Sequence, residues 1–247
     1  MVFGWLLRKS GPQAIEKHAK RVADKNAQAP DRWDSIQAIE SIMKDAKARG
    51  DKETVQTAVR ALLARFTFYT DPTITDEEEK EYAFQVIVQA GPDAIDPIRS
   101  HMSRCESLVW PIKLLDRLLP REDVVSVLLE TLNGMDTEYQ RDPQKKLQLL
   151  QALEERRDGR IANQILRFLD DVNESVRFHA ISTLLHQENV DEFKDQLLAH
   201  FVREESLRIK HTLLEHFSSR KWSLPSGLAS ALPPGWKLDP NGHPTKS

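Results

Sequence analysis

The 247-residue sequence predicts an all-α fold, a right-handed α-solenoid of about six helical hairpins, and three observations lead there. The first is an internal repeat. Asp142-Pro143-Gln144-Lys145-Lys146-Leu147-Gln148-Leu149-Leu150-Gln151-Ala152-Leu153 aligns with Asn173-Glu174-Ser175-Val176-Arg177-Phe178-His179-Ala180-Ile181-Ser182-Thr183-Leu184, 31 residues later. A turn residue, a cation and three apolar positions coincide. The second is apolar spacing at the helical period, as in Val176, Ala180, Ile181, Leu184 and Leu185. A stripe of that width cannot be buried by one helical pair, so neighbouring pairs must stack. The third is composition: 40% hydrophobic and 30% charged residues with nine glycines suit packed helices and exclude a disordered or collagen-like chain.

Each unit can be placed in turn. Stepping back from Arg208, the recurring cation falls at Arg177, Lys146, Lys113 and Lys80, while Ser35 takes the corresponding place in the first unit. That first unit, residues 12–49, is thus degenerate, as terminal units of repeat arrays commonly are. Residues 51–90 carry the stripe Val55, Val59, Leu62, Leu63 and Phe66; residues 91–120 carry Leu108, Ile112, Leu115, Leu118 and Leu119. Residues 121–158 contain the first copy of the aligned repeat. Residues 159–188 carry Ile161, Ile165, Leu166, Phe168 and Leu169 before the second copy, and residues 190–221 carry Phe193, Leu197, Leu198 and Phe201. Turn residues separate the units at Gly50-Asp51, Gly91-Pro92, Pro120, Asp158-Gly159 and Asn189, and Asp71-Pro72 and Asp142-Pro143 open second helices. Thr75 with Glu78 reads as a capping box at the head of the acidic run 76–81.

Two ends flank this body of residues 12–221. Residues 1–11 begin apolar and turn basic, the reverse of a secretory signal's order. Phe3, Trp5, Leu6 and Leu7 can either cap the first repeat or touch a membrane surface beside Arg8 and Lys9. Residues 222–247 form a tail rich in Pro and Gly through which a helix cannot continue; Leu224, Leu228, Leu232 and Trp236 are expected to cover the last repeat to about residue 238, with disorder beyond.

The segment Asp171-Val172-Asn173-Glu174-Ser175-Val176-Arg177-Phe178-His179-Ala180 resembles the inter-helix turn and second helix of a HEAT repeat, and Gly91-Pro92-Asp93-Ala94-Ile95-Asp96-Pro97-Ile98 resembles a HEAT first helix. The likeness covers most of residues 51–221, and the chain is similar to bacterial HEAT-repeat (armadillo-like) proteins. That resemblance implies a curved stack whose second helices line a concave docking face. It carries over no activity and no functional residue. It also implies that the repeated cation commonly bonds to the turn acid of a neighbouring unit, for which Asp142, Asp170 and Asp171 are available.

Chemistry finds little purchase. A formal charge of -3 supplies no global attraction for nucleic-acid phosphates, and the cations around Trp110, such as Arg117 and Arg121, interleave with Asp116, Glu122 and Asp123. The single Cys105 forms no intrachain disulfide or multi-cysteine zinc site and has no nucleophile context. No His-Glu dipeptide occurs, the histidines have no zinc spacing, and the isolated glycines form no phosphate loop. No stretch approaches the roughly 20 apolar residues of a membrane span. The expectation is a cytoplasmic, monomeric, non-catalytic scaffold without cofactor or metal, binding a protein along its second-helix face. Lys113, Lys146, Gln148, Arg177, His179, Thr183, His186 and Arg208 are the candidate contacts. The alternatives are a nucleic-acid-binding solenoid and a membrane-associated adaptor using residues 1–9.

Overall fold

A computed structural model of the protein describes residues 11–247, so Phe3, Trp5, Leu6 and Leu7 lie outside the described residues. The described residues are mostly helical, with twelve α-helices and one short β-hairpin. They divide into two compact units, one ending at Val127 and one beginning at Leu128. Among them no helix is long and apolar enough to cross a membrane.

The first unit contains α1 (Pro12–Val22), α2 (Ala29–Ala48), α3 (Lys52–Leu63), α4 (Thr73–Ala90), α5 (Ile95–Met102) and α6 (Val109–Leu118). The helix α7 (Arg121–Asn133) holds the division between the units. Odd helices pack on odd ones, α1 on α3 and α3 on α5, while α2 packs on α4 and α4 on α6. The pairs α1–α2, α2–α3, α3–α4 and α5–α6 also pack together, so the apolar stripes meet more than one neighbour. Ile36, Ile39 and Met43 from α2, Val55, Val59 and Leu62 from α3, and Val86 and Ile87 from α4 are all buried. Helix ends follow local chemistry. The Asp51 side chain accepts from the backbone N–H of Thr54 at 3.1 Å, a cap worth about 1 kcal/mol. Gly50 and Gly91 follow α2 and α4 at φ 69° and 66°, a conformation that a Cβ would disfavour.

The acidic run at the head of α4 corrects the capping-box expectation. The helix begins at Thr73 behind Pro72, so Thr75 sits inside it, and Glu78 is exposed. Asp76 and Glu79 turn inward because they continue the buried stripe of Lys80, Ala83, Val86, Ile87 and Ala90.

In the second unit, α8 (Gln144–Glu154), α9 (Gly159–Ile165), α10 (Glu174–Leu185), α11 (Lys194–Arg203) and α12 (Leu207–Ser219) follow the remainder of α7. The helix α10 packs on α8, on α9 and on α12. Asn173 caps α10 by accepting from Ser175 and Val176, and Ser206 caps α12 by accepting from Ile209. The tail then returns over α12. Trp222, Leu224 and Trp236 are buried, and the Trp236 indole N–H donates to His211 Nδ1 at 2.8 Å. The expectation of disorder beyond residue 238 is overturned. Strand β1 (Trp236–Leu238) pairs antiparallel with β2 (Pro244–Lys246), which packs on α12. The turn between them is held by Asp239, whose carboxylate accepts from the backbone N–H groups of Asn241 and His243, each at 2.8 Å.

Candidate partner-contact surface

The repeated cation can be followed rung by rung. In the second unit, Lys146 on α8 donates to Asp171 at 2.7 Å, and the lysine side chain is 1% exposed. One repeat on, the Arg177 guanidinium on α10 donates through Nε and Nη2 to the two carboxylate oxygens of Glu204 at 2.9 and 3.0 Å. Each acid precedes the next cap by two residues, Asp171 before Asn173 and Glu204 before Ser206, and each also accepts from the backbone N–H of that cap residue. One carboxylate thus folds a turn and locks it to the preceding second helix. Charge-assisted bonds of this kind, bidentate at Arg177, fix position as well as contributing energy.

Among the described residues, no further helix-opening turn supplies an acid to the last rung. Arg208 on α12 is exposed, stands 3.9 Å from Glu174 and lies over the Phe178 ring at 3.4 Å. In the first unit, Lys80 is buried against Asp76, whereas Lys113 is exposed with its ammonium 4.6 Å from the Trp110 ring centroid.

Two expected contacts are therefore interior. Lys146 is buried for the reason just given. Thr183 is buried with its hydroxyl 3.1 Å from the Leu150 carbonyl on α8 and 2.6 Å from its own helix's His179 carbonyl. Both hold α8 against α10 and leave the contact set. Arg177 is half-buried and engaged by Glu204.

What remains outward is drawn together around Glu154. Its carboxylate accepts from Ser182 at 2.6 Å and lies 3.5 Å from His179 and 3.7 Å from His186. Gln151, one turn earlier on α8, lies 3.2 Å from His179 Nε2. Gln148 is half-buried on the same helix. The structure thus assembles His179 and His186 with Gln151, Glu154 and Ser182, three residues that sequence reasoning passed over. Their i, i+3 and i, i+7 spacing on aligned repeats could have indicated them. Among the described residues, no group of three or more His, Cys, Asp or Glu side chains is arranged to hold a metal ion.

The turns beside these helices expose apolar side chains. Tyr139 precedes α8, Val172 precedes α10, and Leu207 opens α12; they are 77%, 58% and 58% exposed. The Val172 backbone N–H donates to the Thr137 carbonyl, and Ser206 Oγ donates to Glu174, so successive turns touch. A row of exposed apolar side chains on connected turns is a surface that water solvates poorly.

Glu204 and His216 carry the largest shifts in this unit, and burial also holds the His200 imidazole below its ordinary value. Burial opposes ionisation of Glu204, but the hydrogen bond and charge of Arg177 and the Ser206 N–H outweigh it and hold the carboxyl down to about 2. Burial and the Arg220 charge push the His216 imidazole down to about 4, and its Nε2 is buried without a hydrogen-bond partner in the structure. Between 6.5 and 4 the unfolded chain binds the His216 proton more readily, so stability is full above pH 6.5 and falls as the pH drops through 4. The Glu204 contribution is present above 4.5 and is lost as the pH falls toward 2. Urea midpoints are expected to decline in these two successive windows, and His216→Phe is expected to make the first shallower, leaving the share of the buried His200. A midpoint unchanged between pH 7 and 4.5 would contradict the assignment.

Compared with protein-family models, curated proteins and solved structures, the chain matches none.

Proposed function

We propose that each unit is a stretch of right-handed α-solenoid built from HEAT-like hairpins, and that the protein is a cytoplasmic, non-catalytic scaffold binding another protein. The contact surface is the outward side of α8, α10 and α12. The observation carrying this reading is the division of labour among the repeated side chains. Lys146 and Arg177 point inward to fix the spacing of successive helices, while Gln151, His186 and Arg208 stay exposed on the same three helices, whose leading turns expose apolar side chains. A preorganised array of this kind adds contacts without an ordering cost at each one. Exposed apolar side chains together with polar groups on one set of helices also fit the mixed composition of a protein interface.

The test is affinity capture from lysate with the tagged full chain beside a variant carrying Gln151→Glu, His186→Glu and Arg208→Glu. All three side chains are exposed, so circular dichroism should show unchanged helicity. A partner retained by the parent and lost by the folded variant supports the assignment. Equal capture by both proteins rules this face out.

A further inference from the structure

The first unit contains a cavity that the proposed scaffold role does not use. It lies between α3 and α5, has a volume of about 380 Å³, and is lined by Arg60, Leu63, Thr67, Pro97, His101, Arg104 and Cys105. The lining follows from helix phase. Arg60, Leu63 and Thr67 are three and four residues apart along α3 and the 3-10 turn after it, and Pro97, His101 and Arg104 are spaced four and three along α5 and its end. Two helix faces thus meet with an apolar floor of Leu63, Pro97 and the Cys105 thiol beneath a polar rim.

That rim has one sign of charge. Two arginines and a histidine line the cavity, and no Asp or Glu does. Among the described residues, neither arginine is paired with a carboxylate. Arg60 donates through Nη2 to Gln56 Oε1 at 3.4 Å, and Arg104 donates to the Ser100 carbonyl and hydroxyl at 3.3 and 2.7 Å. Both stand exposed at the rim, whereas the buried arginines of this unit, Arg32 and Arg65, are bound to Glu79. Part of the charge at Arg104 answers the carbonyl end of α5, where a helix favours a cation. Arg60 also stands in the last turn of α3, but among the described residues its guanidinium donates to no carbonyl, which leaves it donors to offer.

From this lining we infer a binding site for a small organic anion, a phosphate monoester or carboxylate whose compact apolar group sits on Leu63 and Pro97. The anionic group is held by Arg60 and Arg104, with His101 beside it. The volume lies within the range of small-molecule sites, and guanidinium forks match both oxyanions in geometry. This assignment is independent of the scaffold reading, since the cavity belongs to the first unit and the proposed partner surface to the second.

The experiment is a ¹⁵N–¹H NMR titration of the full chain with phenyl phosphate, in parallel with benzoate, phenol and inorganic phosphate. Phenyl phosphate or benzoate is expected to move the amide signals of His101, Arg104 and Cys105 saturably, and phenol is expected to leave them in place. Shifts with inorganic phosphate as strong as with phenyl phosphate would overturn the apolar half of the site. Arg60→Gln and Arg104→Gln should each weaken binding about tenfold, the share of one charge-assisted hydrogen bond. Arg49→Gln, which removes an equal charge from an exposed position outside the cavity, should not. Absence of saturable shifts, or equal weakening by Arg49→Gln, would overturn the proposal.

Discussion

Replacing Lys146 by Met is expected to lower the folding stability of the protein by about 3 to 5 kcal/mol, although the two side chains are similar in length. The lysine and its partner Asp171 are each 1% exposed in their side chains, and their polar atoms are 2.7 Å apart. Without the ammonium, the carboxylate stays buried and keeps one backbone donor, Asn173 N–H, but loses its hydrogen-bonded counter-charge, with Arg177 left as the nearby cation. The buried carboxylate left without its direct partner is the source of the cost. Asp171→Asn added to Lys146→Met should therefore recover part of the loss, which makes the two substitutions strongly non-additive. Urea unfolding of the two single variants and the double variant measures this directly. A loss below about 1 kcal/mol in Lys146→Met would be the behaviour of an exposed pair and would remove the lysine from the interior. The same logic disqualifies charge reversal at Lys146 as a probe of partner binding, because lost binding would report lost folding.

The contrast between Lys146 and Arg208 shows what the sequence makes legible. Both occupy the repeated cation position, and nothing local distinguishes them. What differs is whether a further turn follows to supply an acid, as Asp171 does for Lys146; Arg208 has none and stays at the surface. Asp171 could be anticipated as a partner, since it stands in the aligned turn. Glu204 could not, because its turn differs in length and begins with a different acid. Helix starts were readable only as turn positions: Gly50-Asp51, Asp71-Pro72 and Asp142-Pro143 do precede α3, α4 and α8, because turn and cap residues act within three residues of themselves, whereas the capping box placed at Thr75 falls inside α4. The β-hairpin lay beyond reach, because strands of three residues are too short to show an alternating pattern, and their stability comes from packing on α12. The α3–α5 cavity was equally silent, since it joins Arg60 to Arg104 across two helices with no repeat relation between them.

Glu79→Gln is expected to be as damaging as any single substitution in the first unit, again at about 3 to 5 kcal/mol. Its carboxylate is fully buried and holds two arginines: Arg32 from α2 at 2.9 and 3.1 Å, and Arg65 from the turn after α3 at 2.7 Å. Arg65 also donates to Asp76 at 2.6 Å, and Asp76 binds Lys80 at 2.7 Å. Burial works against ionisation of Asp76, yet Lys80 and Arg65 keep its pKa below the ordinary value. Counting Arg32, Arg65 and Lys80 against Asp76 and Glu79, this buried group carries three positive and two negative charges. Removing the Glu79 charge leaves three against one in a place that water cannot reach, and three chain segments lose their common tie. The apolar phase of two helices brought these ions inside: Arg32 leads the stripe of Ile36, Ile39, Met43 and Ala46, and Glu79 and Lys80 stand one turn ahead of Ala83. The neighbouring acids Glu77 and Glu78 are exposed. Glu77→Gln and Glu78→Gln should stay within about 0.5 kcal/mol of the parent in the same urea experiment. Comparable losses at positions 77, 78 and 79 would mean that the run stabilises α4 through its helix dipole alone, and the buried tie would have to be abandoned.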